Sequence, residues 1–211
     1  MPEPFTRFFR KWKYGEDVIV VSGLPRSGTS MVMSMLEAGD LPILSDHVRE
    51  ADEDNPKGYF EFEKVKSLAE TNDKSWLRDA RGKSVKVISH LLKELPDENF
   101  YRIIFARRDL QEIIASQNIM LKRQEEANPV EDAKAIALYR KHLVNVRFLV
   151  RRKPNLEMLE LAYTEVLDDP ENAAGRINRF LGGNLNIKAM AAVVDRRLYR
   201  NRKEQFGQPT D

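Results

Sequence analysis

Cysteine is absent from the 211 residues, which excludes disulfides, thiolate metal sites and a cysteine nucleophile. Histidine is scarce: His47, His90 and His142 are too few for a histidine-rich metal centre, and no metal site is expected. Neither charge sign is in excess, with 35 Lys and Arg against 33 Asp and Glu and a net charge of +2. Nucleic-acid binding by bulk electrostatics is therefore not expected, and any anion must be held by a local cluster of cations. No apolar run approaches the ~20 residues of a membrane-spanning helix, and the first residues lack the apolar core of a secretory signal, so a cytoplasmic protein is expected. Repeats, low-complexity tracts and dividing linkers are also missing. With 42% hydrophobic residues the chain has the apolar content of one α/β domain, expected over residues 17–211. Residues 1–16 form an arm in which Phe5, Phe8, Phe9, Trp12 and Tyr14 interleave with Arg7, Arg10, Lys11 and Lys13. Its aromatics are expected to pack on the domain; contact with a membrane surface or an acidic partner is the alternative.

What the chain does have is a strand, a glycine-bearing loop and a helix in immediate succession over Asp17–Leu36. Val18–Val21 is a β-branched apolar run, and the pairs Met31/Met35 and Val32/Leu36 stand at helical spacing. Between them, Gly23-Leu-Pro-Arg-Ser-Gly-Thr-Ser30 has glycines where the backbone must turn, so that several N–H groups point into one concavity at a helix start. Such a nest binds an anion, usually phosphate. The spacing is that of G-x-x-x-x-G-K-[ST], but Thr29 stands where the lysine belongs and the cation comes earlier, at Arg26. Without that lysine, hydrolysis of ATP or GTP and ordinary kinase chemistry are disfavoured.

Pro25-Arg26-Ser27-Gly28-Thr29-Ser30 resembles the P-[KR]-S-G-T-[ST] loop of the sulfotransferases. The resemblance extends further along the chain. Arg107-Arg108-Asp109 follows an apolar strand, Arg102–Ala106; Asp109 and Glu112 have the spacing of a capping box. Ser116 stands seven residues past the cap, almost two turns on, so Arg108 and Ser116 can point the same way. This pair is similar to the second sulfotransferase motif, which implies that Arg108 and Ser116 hold the 3′-phosphate of the donor, 3′-phosphoadenosine-5′-phosphosulfate. Tyr163-Thr-Glu-Val-Leu-Asp-Asp-Pro170 is similar to a segment that places its tyrosine near the adenine, and Asn55-Pro-Lys-Gly-Tyr-Phe-Glu61 to one found in bacterial members. The fold implied is a three-layer, P-loop-like α/β fold with a mostly parallel central sheet flanked by helices.

The activity implied is sulfuryl transfer to a hydroxyl or amine. Arg26 is the candidate contact to the leaving group, Ser27 to Ser30 supply amides and hydroxyls, and Lys86 resembles a second catalytic lysine. For the general base three residues compete. His90 lies two residues later than the histidine of the family's K-x-H pattern, and strand parity keeps it facing the site if the strand continues; Glu61 and His47 are the alternatives. The acceptor, whether small molecule, carbohydrate, lipid or peptide, stays open. A nucleotide-dependent kinase with an aberrant loop and a non-catalytic nucleotide-binding module are the competing functions.

Further elements are expected as a first helix ending at Ala38 with Gly39 in the left-handed position, and a short strand at Leu41–Leu44. After these come a helix at about Glu61–Glu70, a strand at Ser84–Ser89, a helix at Pro129–Arg152 and a strand at Leu156–Tyr163. A helix after Pro170 stops at Gly182, a last helix covers Ile187–Val194, and a basic tail runs from Arg196 to Lys203.

Overall fold

The computed structural model describes residues 4–46, 60–123 and 132–196. His47, the Asn55–Tyr59 turn, the start expected at Pro129 and the tail beyond Arg196 lie outside the described residues. Among the described residues four parallel strands make the sheet: β1 (Val18–Gly23), β2 (Ser84–Lys86), β3 (Tyr101–Arg107) and β4 (Leu156–Ala162), in the order β2-β1-β3-β4. In register, β1 runs Val18 to Gly23 against Tyr101 to Ala106 of β3, while Ile19 to Val21 faces Ser84 to Lys86 of β2. Every residue of β1 is buried, the signature of a central strand covered on both faces.

Alternation divides the core into two layers. Val18, Val20, Val85, Tyr101, Ile103 and Phe105 face one side, where Val65, Trp76 and Leu77 of the short α4 (Trp76–Asp79), and Leu92 pack with Val146 of a long helix, α6 (Asp132–Arg152). Ile19, Val21, Ile104 and Leu161 face the other side, against α2 (Thr29–Ala38), α8 (Pro170–Leu181) and α9 (Ile187–Ala192). Burying each such aliphatic side chain contributes about 1.5–3 kcal/mol.

The helix α1 (Pro4–Tyr14) precedes β1. Of the aromatics expected to pack on the domain, Tyr14 lies against Phe100, with ring centroids 5.9 Å apart, Phe9 and Trp12 are exposed, and the side chains of Phe5 and Phe8 lie outside those described. Leu41–Leu44 is not a strand; it contributes one bridge, Ile43 to Ser84. The strand from Ser84 stops at Lys86 instead of Ser89, opposite Val21 and two residues before β1 itself ends at Gly23, and a 3-10 helix, Ser89–Glu94, drops Leu92 into the core. The helix expected over Glu61–Glu70 is the short α3 (Glu63–Lys66), and β4 ends before Tyr163, which opens α7 (Tyr163–Asp168). Gly39 has φ −84°, so the left-handed residue is Asp40 at +66°. The glycine serves a close approach instead: a Cβ there would stand 2.7 Å from Met190 Cγ of α9.

Candidate functional site

The loop from Gly23 to Ser30 leaves the carboxyl end of the central strand and enters α2, and its shape depends on two glycines. A Cβ on Gly23 would meet Ser27 Oγ at 2.4 Å and the Ala106 carbonyl of β3 at 2.7 Å. Gly28 has φ +99° and lies so close to Tyr163 that a Cβ would be 2.5 Å from its Cδ2. Arg26 is also left-handed, at +66°, with Pro25 exposed beside it and the Ser27 N–H donating to the Leu24 carbonyl at 3.2 Å. No side chain caps α2, and its first backbone bond runs from Val32 N to the Gly28 carbonyl. The N–H groups of Thr29, Ser30 and Met31 therefore precede the helical ladder, as an anion nest requires.

Around this loop the chain gathers four other elements. Arg26 Nε donates to Ser116 Oγ at 3.0 Å, joining the loop to α5 (Leu110–Arg123). Arg108, just past β3, donates through Nη1 to the Arg26 carbonyl at 3.3 Å and through Nε to Glu112 Oε2 at 2.9 Å. Its guanidinium also lies over the Tyr163 ring, 4.8 Å from the centroid. From the other side of β1, Lys86 Nζ donates to Ser30 Oγ at 3.4 Å. Arg26, Ser30, Lys86, Arg108, Ser116 and Tyr163 are thus one constellation, at the carboxyl ends of parallel strands where such sheets place their ligands. Arg26 and Ser116, assigned from the sequence to opposite ends of the donor, touch each other here.

Ser27 Oγ is buried and has no hydrogen-bond partner among the described residues. It borders a cleft of about 490 Å³ lined also by Leu24, Arg108, Leu110, Leu143 and Arg147. A buried hydroxyl without a partner costs about 1–3 kcal/mol unless a ligand or water satisfies it.

A family model described as the sulfotransferase family matches residues 47–186, well over half of the chain. The chain belongs to the sulfotransferase family. The matched stretch takes in Lys86, Arg108, Ser116 and Tyr163 and begins after the Gly23–Ser30 loop. The fold is similar to the sulfotransferase domain of the Synechococcus PCC 7002 olefin synthase, at 16% identity over 92% of this chain and 84% of that one, with a TM-score of 0.53. It is similar also to sulfotransferase STF9 from Mycobacterium avium, at 18% identity over 92% of this chain and 69% of that one, with a TM-score of 0.51. The sulfotransferase domain from the curacin biosynthetic pathway covers 83% of its length with 85% of this chain at 12% identity and a TM-score of 0.51. No curated protein matches.

Within this sulfotransferase the candidate bases fall in different places. His90 is not on a strand: the chain has entered the 3-10 helix, and the His90 ring is stacked on His142 of α6, with centroids 3.8 Å apart and planes 7° from parallel. The parity that pointed His90 at the site therefore does not apply. Glu61 is joined to the segment after the Ile43 bridge, its carbonyl accepting from Asp46 N at 3.1 Å and Ser45 Oγ at 3.0 Å, with its carboxylate 3.8 Å from Lys66 Nζ.

Two contacts beside the loop and cleft escaped the sequence. Glu112 was legible as half of a capping box, and the Asp109 carboxylate does accept from Gln111 N at 2.9 Å, but Glu112 also takes the Arg108 guanidinium. The i,i+4 spacing of Arg108 and Glu112 was the available signal. Arg147, in the last two turns of α6, binds both carboxylate oxygens of Glu160 at 2.7 and 2.9 Å, and Arg107 adds a third bond at 2.8 Å. The Arg147 hydrogen bond, with Arg107 nearby, holds the Glu160 carboxyl below the usual carboxylate range.

Proposed function

We propose that this enzyme moves a sulfuryl group from 3′-phosphoadenosine-5′-phosphosulfate to a hydroxyl or amine acceptor. The observation that carries this is the convergence of Arg26, Lys86, Arg108, Ser116 and Tyr163 on a phosphate-type loop that has Thr29 in place of the lysine of nucleotide triphosphatases. In the reaction the acceptor oxygen or nitrogen attacks sulfur, and the bond from sulfur to the bridging phosphate oxygen breaks. Adenosine 3′,5′-bisphosphate leaves, and the acceptor proton passes to a base. The charge that develops is on the leaving phosphate, so the catalyst needs cations and backbone N–H groups held in place. Arg26, Lys86 and the amides from Ser27 to Ser30 serve that end. Arg108 and Ser116 hold the unreactive 3′-phosphate, and Tyr163 lies by the adenine. The acceptor class, small molecule, carbohydrate, lipid or peptide, is set by the walls beyond the sulfate.

For the base we favour Glu61 over His90, since the stacked His90 ring has lost the strand placement on which its candidacy stood. Glu61→Gln should lower turnover about 10²-fold or more with donor binding intact, and His90→Ala should not. The activity itself is tested by thermal shift with adenosine 3′,5′-bisphosphate against ATP–Mg²⁺, followed by transfer of label from radioactive donor to an acceptor panel. Preference for ATP overturns the proposal in favour of a kinase, and saturable binding without transfer reduces the protein to a binding module.

A further inference from the structure

We propose that α1 is a docking helix for an anionic membrane surface, with Trp12 as its anchor. Pro4–Tyr14 has four cations, Arg7, Arg10, Lys11 and Lys13, and no acid. One face of the helix is tied to the domain. Arg10 donates to Asp17 Oδ2 at 3.0 Å and to Glu157 Oε2 at 3.2 Å, and its guanidinium lies 4.2 Å from the centroid of Phe100, on which Tyr14 also packs. An α-helix turns about 100° per residue, so Phe9 and Trp12 share a ridge roughly 150° around from the Arg10 and Tyr14 face. The tether that fixes that face therefore turns the ridge outward: Trp12 is 82% exposed and Phe9 59%. Lys13 flanks the ridge, its ammonium over the Tyr14 ring, and Lys11 lies on the other flank near Glu16.

The ridge is convex, aromatic and bordered by cations, which matches the boundary between lipid headgroups and acyl chains. Tryptophan is suited to that boundary because its ring is apolar and its N–H stays wet, while lysines reach the headgroups. The absence of any acid from the helix selects anionic over neutral lipid. Phe100 and Asp17 precede β3 and β1, and Glu157 is the second residue of β4, so α1 sits at the amino ends of the strands. The Gly23–Ser30 loop leaves the carboxyl end of β1, six residues and about 20 Å away. A bilayer against α1 therefore leaves the constellation around Arg26 open to water on the far side.

The full chain has two tryptophans, and Trp76 is in the core, so Trp12 reports the contact. Vesicles of phosphatidylcholine containing phosphatidylglycerol should blue-shift the emission and carry the protein up a flotation gradient; vesicles of phosphatidylcholine alone should not, and added salt should reverse the effect. Trp12→Ala should abolish the shift, and Lys13→Glu should weaken vesicle binding by about tenfold or more. Unchanged melting temperatures in both variants certify the fold. The proposal is overturned by absence of flotation with anionic vesicles at low salt, by flotation that survives Trp12→Ala, or by a concentration-dependent dimer that occupies the ridge instead.

Discussion

Arg108 carries three contacts at once, to the Glu112 carboxylate, the Arg26 carbonyl and the Tyr163 ring, and the first of these is buried, with side-chain exposures of 8% and 3%. A structural contact and the proposed hold on the 3′-phosphate therefore meet in one residue, and they can be separated. Arg108→Ala strands the Glu112 charge in the interior, which costs about 3–5 kcal/mol of stability, and it should also weaken adenosine 3′,5′-bisphosphate by about 1.5–3 kcal/mol through the lost charged hydrogen bonds. Adding Glu112→Gln to that variant removes the stranded charge, so urea unfolding should show stability largely recovered while calorimetry shows ligand binding still weak. Recovery of both would mean that Arg108 acts only through Glu112. At this scale the turn of the Gly23–Ser30 loop was legible from sequence, because Gly23 and Gly28 stand where a Cβ would clash. Glu112 was not fully legible, since the spacing that marks it as a helix-start carboxylate does not say that it takes the Arg108 guanidinium.

Elements were legible where periodicity was long and failed where a partner decided their length. The apolar stretch from Ser84 runs on to Ile88 in sequence, yet β2 ends at Lys86, opposite Val21 and two residues before β1 ends at Gly23. The chain then folds into the 3-10 helix and brings His90 against His142, a contact between residues 52 apart that no local pattern announces. Burial lowers both imidazoles, His142 to about 4 with His90 as its second cause, and Lys93 adds to the effect on His90. Ser89 Oγ lies 2.8 Å from His142 Nε2 in the same cluster. Because the folded value for His142 lies below the ordinary 6.5, the unfolded chain takes up the proton first as pH falls. The stabilising share of this pair is complete above about pH 6.5 and is lost toward about pH 4. His142→Gln keeps a polar group near Ser89 and removes the titration, so its melting temperature should fall less than that of the wild type between those limits. Carboxylates titrate equally in both proteins, which makes the difference between the two curves the readout; parallel curves would show that the stack has no such role.

In the whole molecule, the succession of strand, loop and helix gave away a parallel sheet covered on both faces, and the two ends of that sheet have separate work. The carboxyl ends hold the loop and its cations; the amino ends hold a charge cluster in which Asp17 accepts from Arg10 and lies 2.8 Å from Arg102 Nε, with Glu157 3.7 Å from the same nitrogen. Arg102 also donates to the Phe180 carbonyl of α8, so the cluster binds β1, β3, β4 and α8 together with α1 added on top. Removal of residues 1–15 deletes the Arg10 bonds and the Tyr14 contact with Phe100 but leaves Arg102 beside both Asp17 and Glu157, so neither acid is stranded. The loss should be about 2–4 kcal/mol, from two charged hydrogen bonds and the contacts over Phe100, seen as a lower urea midpoint with cooperativity kept. Sites this far apart with no shared partner are close to additive, so the affinity for adenosine 3′,5′-bisphosphate should stay within about twofold of the full chain. A parallel fall in stability and affinity would show instead that the charge cluster under the sheet sets the geometry of the loop above it, through β1 and β3, which both reach from the cluster to the loop.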